Sequence, residues 1–117
     1  MSKFDDFIDG VKGGLTPLVK DFAGGLKQDA LDDMKAFLED QAAQLKDWTA
    51  SLAKQEMSRD EFEVLLRGSA SLLKLRTLRV AGVQLARLQR LRNAFIDLVL
   101  NTALGTFLPG AGKAGGS

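Results

Sequence analysis

The sequence predicts an all-α fold: a long antiparallel helical hairpin with an N-terminal amphipathic helix, arranged as a three-helix bundle or an extended hairpin, and oligomeric. Apolar residues recur at steps of three and four through most of the 117-residue chain, which is the spacing of a helix face and not of a strand. The 2 prolines and 12 glycines are concentrated toward the ends, where they separate helical stretches more than they interrupt them. The length suits one domain with a modest core, residues 1–117.

The first segment, residues 3–25, places Phe4, Phe7, Ile8, Val11, Leu15, Leu18, Val19 and Phe22 within a stripe about 120° wide at roughly 100° per residue. Gly10, Gly13, Gly14 and Pro17 oppose it, since an interior glycine costs about 1 kcal/mol relative to alanine and a proline about 3. Two readings follow. Either two short helices break near "GGLTP", with Thr16 as N-cap and Pro17 as first helical residue, or one helix is ordered only by contact.

The second segment, residues 26–55, repeats Leu31, Met34, Leu38, Gln41, Leu45, Trp48 and Leu52 in the a/d pattern of a helix seam. Its acids Asp29, Asp32, Asp33, Glu39, Asp40 and Asp47 fall on the opposite arc. Ser58 and Glu61 then form a capping-box pattern, which marks a helix start. From 59 the helical spacing persists to 104 along a seam that includes Leu66, Leu73, Val80, Leu88, Leu91, Phe95 and Leu98, with Gly68 and Gly82 as soft points. Leu75, Leu78, Leu85, Ile96 and Leu100 lie off that seam and amount to more apolar surface than one partner helix covers.

At about 1.5 Å per residue the second segment spans about 45 Å and an unbroken third about 69 Å. Roughly four turns of the third therefore need another cover: the N-terminal segment, a second copy or a lipid surface. Residues 105–117 read as a helix stop and flexible tail.

The formal charge of +1 conceals a segregation. Residues 1–66 hold 14 acids and 8 bases, and residues 67–117 hold 8 bases and one acid. On a continuous helix Arg76, Arg79, Arg87 and Arg90 occupy an arc of about 80°, with Arg67, Lys74 and Arg92 well away from them. This asymmetry calls for an electrostatic partner. Acidic back and arginine line both face away from the shared seam, so they meet between molecules more easily than within one hairpin.

The chain has no His, Cys or Tyr, which excludes serine or cysteine triads, zinc sites built on those ligands and Glu-x-x-His di-iron sites within it. "DDFIDG" at residues 5–10 departs from a calcium loop at Phe7 and Thr16. "PGAGKAGG" at 109–116 departs from a phosphate loop at Phe107 and Ala114. Expected, then, is a non-enzymatic protein without cofactor, metal or small-molecule substrate. Self-association would use the arginine line, the acidic arc and the off-seam apolar residues. Peripheral membrane binding through the eight apolar residues of segment one is the alternative, and nucleic-acid binding through the four arginines the second. The first residues lack a basic and apolar leader, and the apolar run at 94–112 falls short of a span of roughly 20 residues. Both predict a cytoplasmic protein, membrane-peripheral if lipid is contacted.

Overall fold

A computed structural model describes residues 2–108, and among these every regular element is helical. Helix α1 (Lys3–Gly13) starts where the Ser2 hydroxyl accepts a hydrogen bond from the Asp5 amide at 3.1 Å. Asp5 and Asp6 in its first turn and Lys12 in its last suit the helix dipole. A short α2 (Leu15–Leu18) follows, so segment one breaks at "GGLTP", with Gly14 and not Thr16 at the cap position. Pro17 sits in the first turn of α2, where its missing N–H leaves no helical hydrogen bond unmade.

Segment two divides into α3 (Gly25–Asp40) and α4 (Ala42–Ala53), jointed at Gln41 with φ −99° and ψ 8°. The predicted seam faces inward: Met34, Leu38, Leu45 and Leu52 are buried, with Leu31, Gln41 and Trp48 half-buried. After α4 the chain closes a Schellman turn, the Glu56 amide donating to the Ser51 carbonyl and the Gln55 amide to the Leu52 carbonyl. Gln55 occupies the left-handed position at φ 62°. Helix α5 (Arg59–Ser69) opens with the capping box in full, the Glu61 amide donating to Ser58 Oγ at 3.0 Å and the Ser58 amide to Glu61 Oε1 at 3.3 Å.

The single helix expected over 59–104 is not formed. A 3₁₀ turn (Ala70–Leu72) leads into extended backbone at Leu73, then α6 (Arg76–Val80) and α7 (Leu85–Phe107). Two local causes act. In "LKL" at 73–75, Leu73 and Leu75 are both buried and Lys74 is exposed, a period of two that extended backbone satisfies and a helix does not. At the far end of α6 the Val83 amide donates to the Leu78 carbonyl and the Gly82 amide to the Arg79 carbonyl, with Gly82 at φ 90°. That is a second Schellman turn, closed by a residue suited to positive φ.

The break changes the architecture. The molecule measures 42 × 29 × 28 Å, shorter than the roughly 69 Å that one helix over 59–104 would require. Helix α6 folds back onto α3, and α7 becomes a central helix contacted by α1, α2, α4, α5 and α6. Its buried residues Leu88, Leu91, Phe95, Ile96, Val99, Leu100, Ala103 and Leu104 face several neighbours. Phe95 meets Phe37 of α3 edge-on at 5.4 Å between centroids.

Helix α1 lies closely on α7. A Cβ added at Gly14 would stand 2.7 Å from Leu98 Cδ1, and one at Gly10 would stand 3.0 Å from Thr102 Cγ2. These glycines, four apart on one face, permit the approach that brings Phe7 and Val11 into the core. Helix α7 continues to Phe107, three residues beyond the expected end, and the rest of the predicted tail, 109–117, lies outside the described residues.

Candidate functional site

The fold-back redistributes the cations of the third segment. Arg87 and Arg90 of α7 line a hollow with Leu18, Asp21 and Phe22. The Arg87 guanidinium lies 4.1 Å from the Phe22 ring centroid, a cation–π contact, and its Nη2 donates to the Asp21 carbonyl at 3.0 Å. Arg76 and Arg79 of α6 instead line a separate hollow with Lys74 and Arg92. The line of four arginines is thus split, and two cations that a continuous helix would place apart join one of its halves.

Asp97, the only acid after residue 66, is engaged elsewhere: Arg67 Nη2 contacts its Oδ1 at 2.9 Å while Arg67 Nε contacts Glu63 Oε2 at 2.9 Å. This exposed pairing ties α5 to α7 and contributes on the order of 0–1 kcal/mol. Among the described residues no other ion pair forms within 4.0 Å.

The acidic arc lies on α3 and α4. Asp32, Glu39, Asp40 and Asp47 are exposed, and Asp29 and Asp33 half-buried. Gln28 Nε2 donates to Asp32 Oδ1 at 2.8 Å. Asp33 Oδ2 is buried without a hydrogen-bond partner. Burial pushes the Asp33 carboxyl above its ordinary range, with repulsion from Asp29 and Asp32 adding to it. Because α6 packs on α3, acidic and basic segments adjoin within one molecule, a meeting that a single hairpin would make harder than one between molecules.

The apolar residues expected to be surplus are mostly consumed. Leu75, Leu78, Ile96 and Leu100 belong to the core, and only Leu85 remains outside, at 67% exposure. The sequence placed them off the seam because it continued one helix through 73–75 and 82. The break lets α6 pack on α3 and surrounds α7 with α1, α2, α4, α5 and α6, so these residues find cover on more than one side.

The apolar face of segment one is likewise engaged. Phe7, Val11, Leu15, Val19 and Phe22 are core residues, and Phe4, Ile8 and Leu18 are half-buried against them. Lipid insertion through this face would therefore require α1 and α2 to leave the rest of the core, exposing the residues they cover. No described helix is long and apolar enough to cross a membrane.

No protein-family model, curated protein or solved structure matches this chain. The exterior must therefore speak for itself, and two apolar sites stand out on it. The first is a shallow hollow of about 340 Å³ on α5, lined by Asp60, Glu61, Val64 and Leu65, with Val64 70% exposed. The second is the α6–α7 corner, where Val80 is 88% exposed and Leu85 opens the next helix. At the i, i+4 spacing that aligns side chains on one helix face, Asp60 precedes Val64, Glu61 precedes Leu65, and Arg76 precedes Val80. Similar apolar sites thus carry opposite charge. Val64 and Leu65 are not among the site residues the sequence predicts, although both lie off the Phe62–Leu66 face, a legible signal. The helical spacing places Val80 on the buried seam, whereas the turn at Gly82 leaves it exposed.

Proposed function

We propose that this protein is a non-enzymatic assembly module that self-associates head to tail, the acidic apolar face of α5 in one copy seating against the basic apolar α6–α7 corner of the next. The observation that carries this reading is the opposite charge beside the two most exposed large apolar residues among those described, Val64 and Val80. Like charges at each patch disfavour pairing a patch with itself, and opposite charges favour pairing it with the other. Such a heterologous contact closes into a ring or continues as a filament.

Its strength follows from its size. Covering the parts of Val64, Leu65, Val80 and Leu85 that are still exposed yields roughly 4–8 kcal/mol gross at about 1.5–3 per fully exposed side chain, against an association cost of about 4–15 kcal/mol. Assembly is therefore weak, concentration-dependent and sensitive to salt.

Sedimentation equilibrium or light scattering across protein concentration tests it. The mean mass rises with concentration at low salt and falls toward the monomer near 0.5 M salt. Val64→Lys and Val80→Asp each abolish growth, yet an equimolar mixture of the two forms a one-to-one dimer, because each variant keeps the face the other lost. A wild-type chain that stays monomeric at every concentration and salt refutes the proposal. Variants that remain monomeric when mixed refute the head-to-tail geometry.

A further inference from the structure

We propose that the hollow beside α6 is a binding site for a phosphate-class oxyanion, held by Lys74, Arg76, Arg79 and Arg92. Its lining brings these four cations together with Ser71 and includes no acid, in a volume of about 240 Å³. A water occupies about 30 Å³, so the space admits a phosphate or pyrophosphate group with part of its hydration shell.

The cations arrive from different parts of the chain. Lys74 is the exposed residue of the extended "LKL" segment, Arg76 and Arg79 lie one turn apart on α6, and Arg92 comes from α7. Arg92 is partly buried, and its Nε donates to the Leu73 carbonyl at 3.2 Å. That bond anchors one edge of the guanidinium and leaves its terminal amino groups for a ligand. None of the four has a described carboxylate within 4.0 Å. Lys74 also borders a neighbouring hollow with Asp33 and Asp40, but neither carboxylate lies within 4.0 Å of its amine. Four converging positive charges without a counter-charge are relieved by a multivalent anion, and guanidinium forks match its oxygens in geometry.

The same structure argues for a discrete anion over a nucleic-acid strand. A strand needs a continuous track of phosphate contacts, and the fold diverts Arg87 and Arg90 to the Phe22 hollow, where Arg87 is already committed to a ring and a carbonyl. The inference does not depend on self-association, since the pocket lies within one chain.

Calorimetric titration of the full chain with pyrophosphate at fixed ionic strength tests it. Saturable one-to-one binding is expected, weakened at least tenfold by Arg79→Gln and by Arg92→Gln and less than twofold by Arg87→Gln. Should Arg92→Gln fail to fold, the exposed Lys74→Gln and Arg76→Gln take its place, each weakening binding at least threefold. Two further arms identify the source of the phosphate: a soluble inositol trisphosphate headgroup, and phosphatidylcholine vesicles containing a phosphoinositide. Equal affinity in both supports a soluble ligand, and vesicle binding at least tenfold tighter with the same Arg79 dependence supports a lipid headgroup. Absence of binding to pyrophosphate and to the headgroup overturns the proposal. So does equal sensitivity to Arg79→Gln and Arg87→Gln, and an oligonucleotide that binds with that equal sensitivity restores the continuous arginine track.

Discussion

Gly82→Ala separates the broken fold from a continuous helix by the sign of its effect. Gly82 sits at φ 90°, and a Cβ built there meets nothing within 4 Å, so the substitution probes backbone conformation with no steric clash. An L-residue forced into left-handed backbone costs about 1–2 kcal/mol, only partly offset by the smaller unfolded-state entropy of alanine. The net loss is about 1 kcal/mol. Were 59–104 one helix, the same change would replace an interior glycine by the best helix former and gain about 1 kcal/mol. The two structures thus differ by about 2 kcal/mol in the predicted outcome. At an unfolding entropy near 2.1 cal/mol/K per residue, 1 kcal/mol shifts the midpoint of a chain this long by roughly 4 °C. Thermal and urea melts followed by circular dichroism at 222 nm read this directly, with Gly82→Asn falling between glycine and alanine because asparagine tolerates the left-handed region. A melting temperature that rises in Gly82→Ala refutes the turn, and with it the fold-back that assembles the four-cation pocket.

Gln55→Gly relieves a non-glycine residue held at positive φ and stabilises the protein by about 0.5–1 kcal/mol; a loss in urea denaturation contradicts the Schellman turn after α4. Gly13→Ala, with open space around the new methyl, gains about 0.5–1 kcal/mol, whereas Gly14→Ala meets Leu98 at 2.7 Å and falls at least 1 kcal/mol below it through overpacking. Equal melting temperatures for these two variants would show that α1 does not lie closely on α7. Asp33→Asn raises the melting temperature at pH 7, because the ionised carboxylate is disfavoured by burial and by Asp29 and Asp32. A carboxyl whose folded pKa is raised contributes stability that is fully present below the unfolded value of 3.8 and is lost as pH rises through the folded value. The advantage of Asp33→Asn therefore shrinks as pH falls toward 4, and a benefit independent of pH between 4 and 7 would assign it to packing instead.

The candidate surfaces were legible in the sequence only in part. Ser58 and Glu61 announce the start of α5 because a capping box is a local device, complete within four residues. The inward face of α1 and α2 follows from the spacing of Phe7, Val11, Leu15 and Val19. Arg76 and Arg79 could be picked out as exposed cations, but their companions could not. Lys74 and Arg92 lie far from them on an ideal helix, and only the extended backbone at Leu73 and the turn at Gly82 bring the four together. The alternation in "LKL" was a visible hint, outweighed by the longer run of three-and-four spacing around it.

By itself the sequence determines that the chain is all-α, the inward face of the first segment and the seam of the second, and that negative charge gathers before residue 67 and positive charge after it. These follow from helical periodicity and composition, which act over one or a few turns. The tertiary structure decides where the third segment breaks, that α7 and not a hairpin seam is the centre of the core, and which cations share a pocket. The reason is energetic. Leaving the helix at 73–75 and at Gly82 gives up several backbone hydrogen bonds, while folding α6 onto α3 buries Leu73, Leu75 and Leu78 at about 1.5–3 kcal/mol each. Only the three-dimensional arrangement of α3, α6 and α7 makes that burial possible.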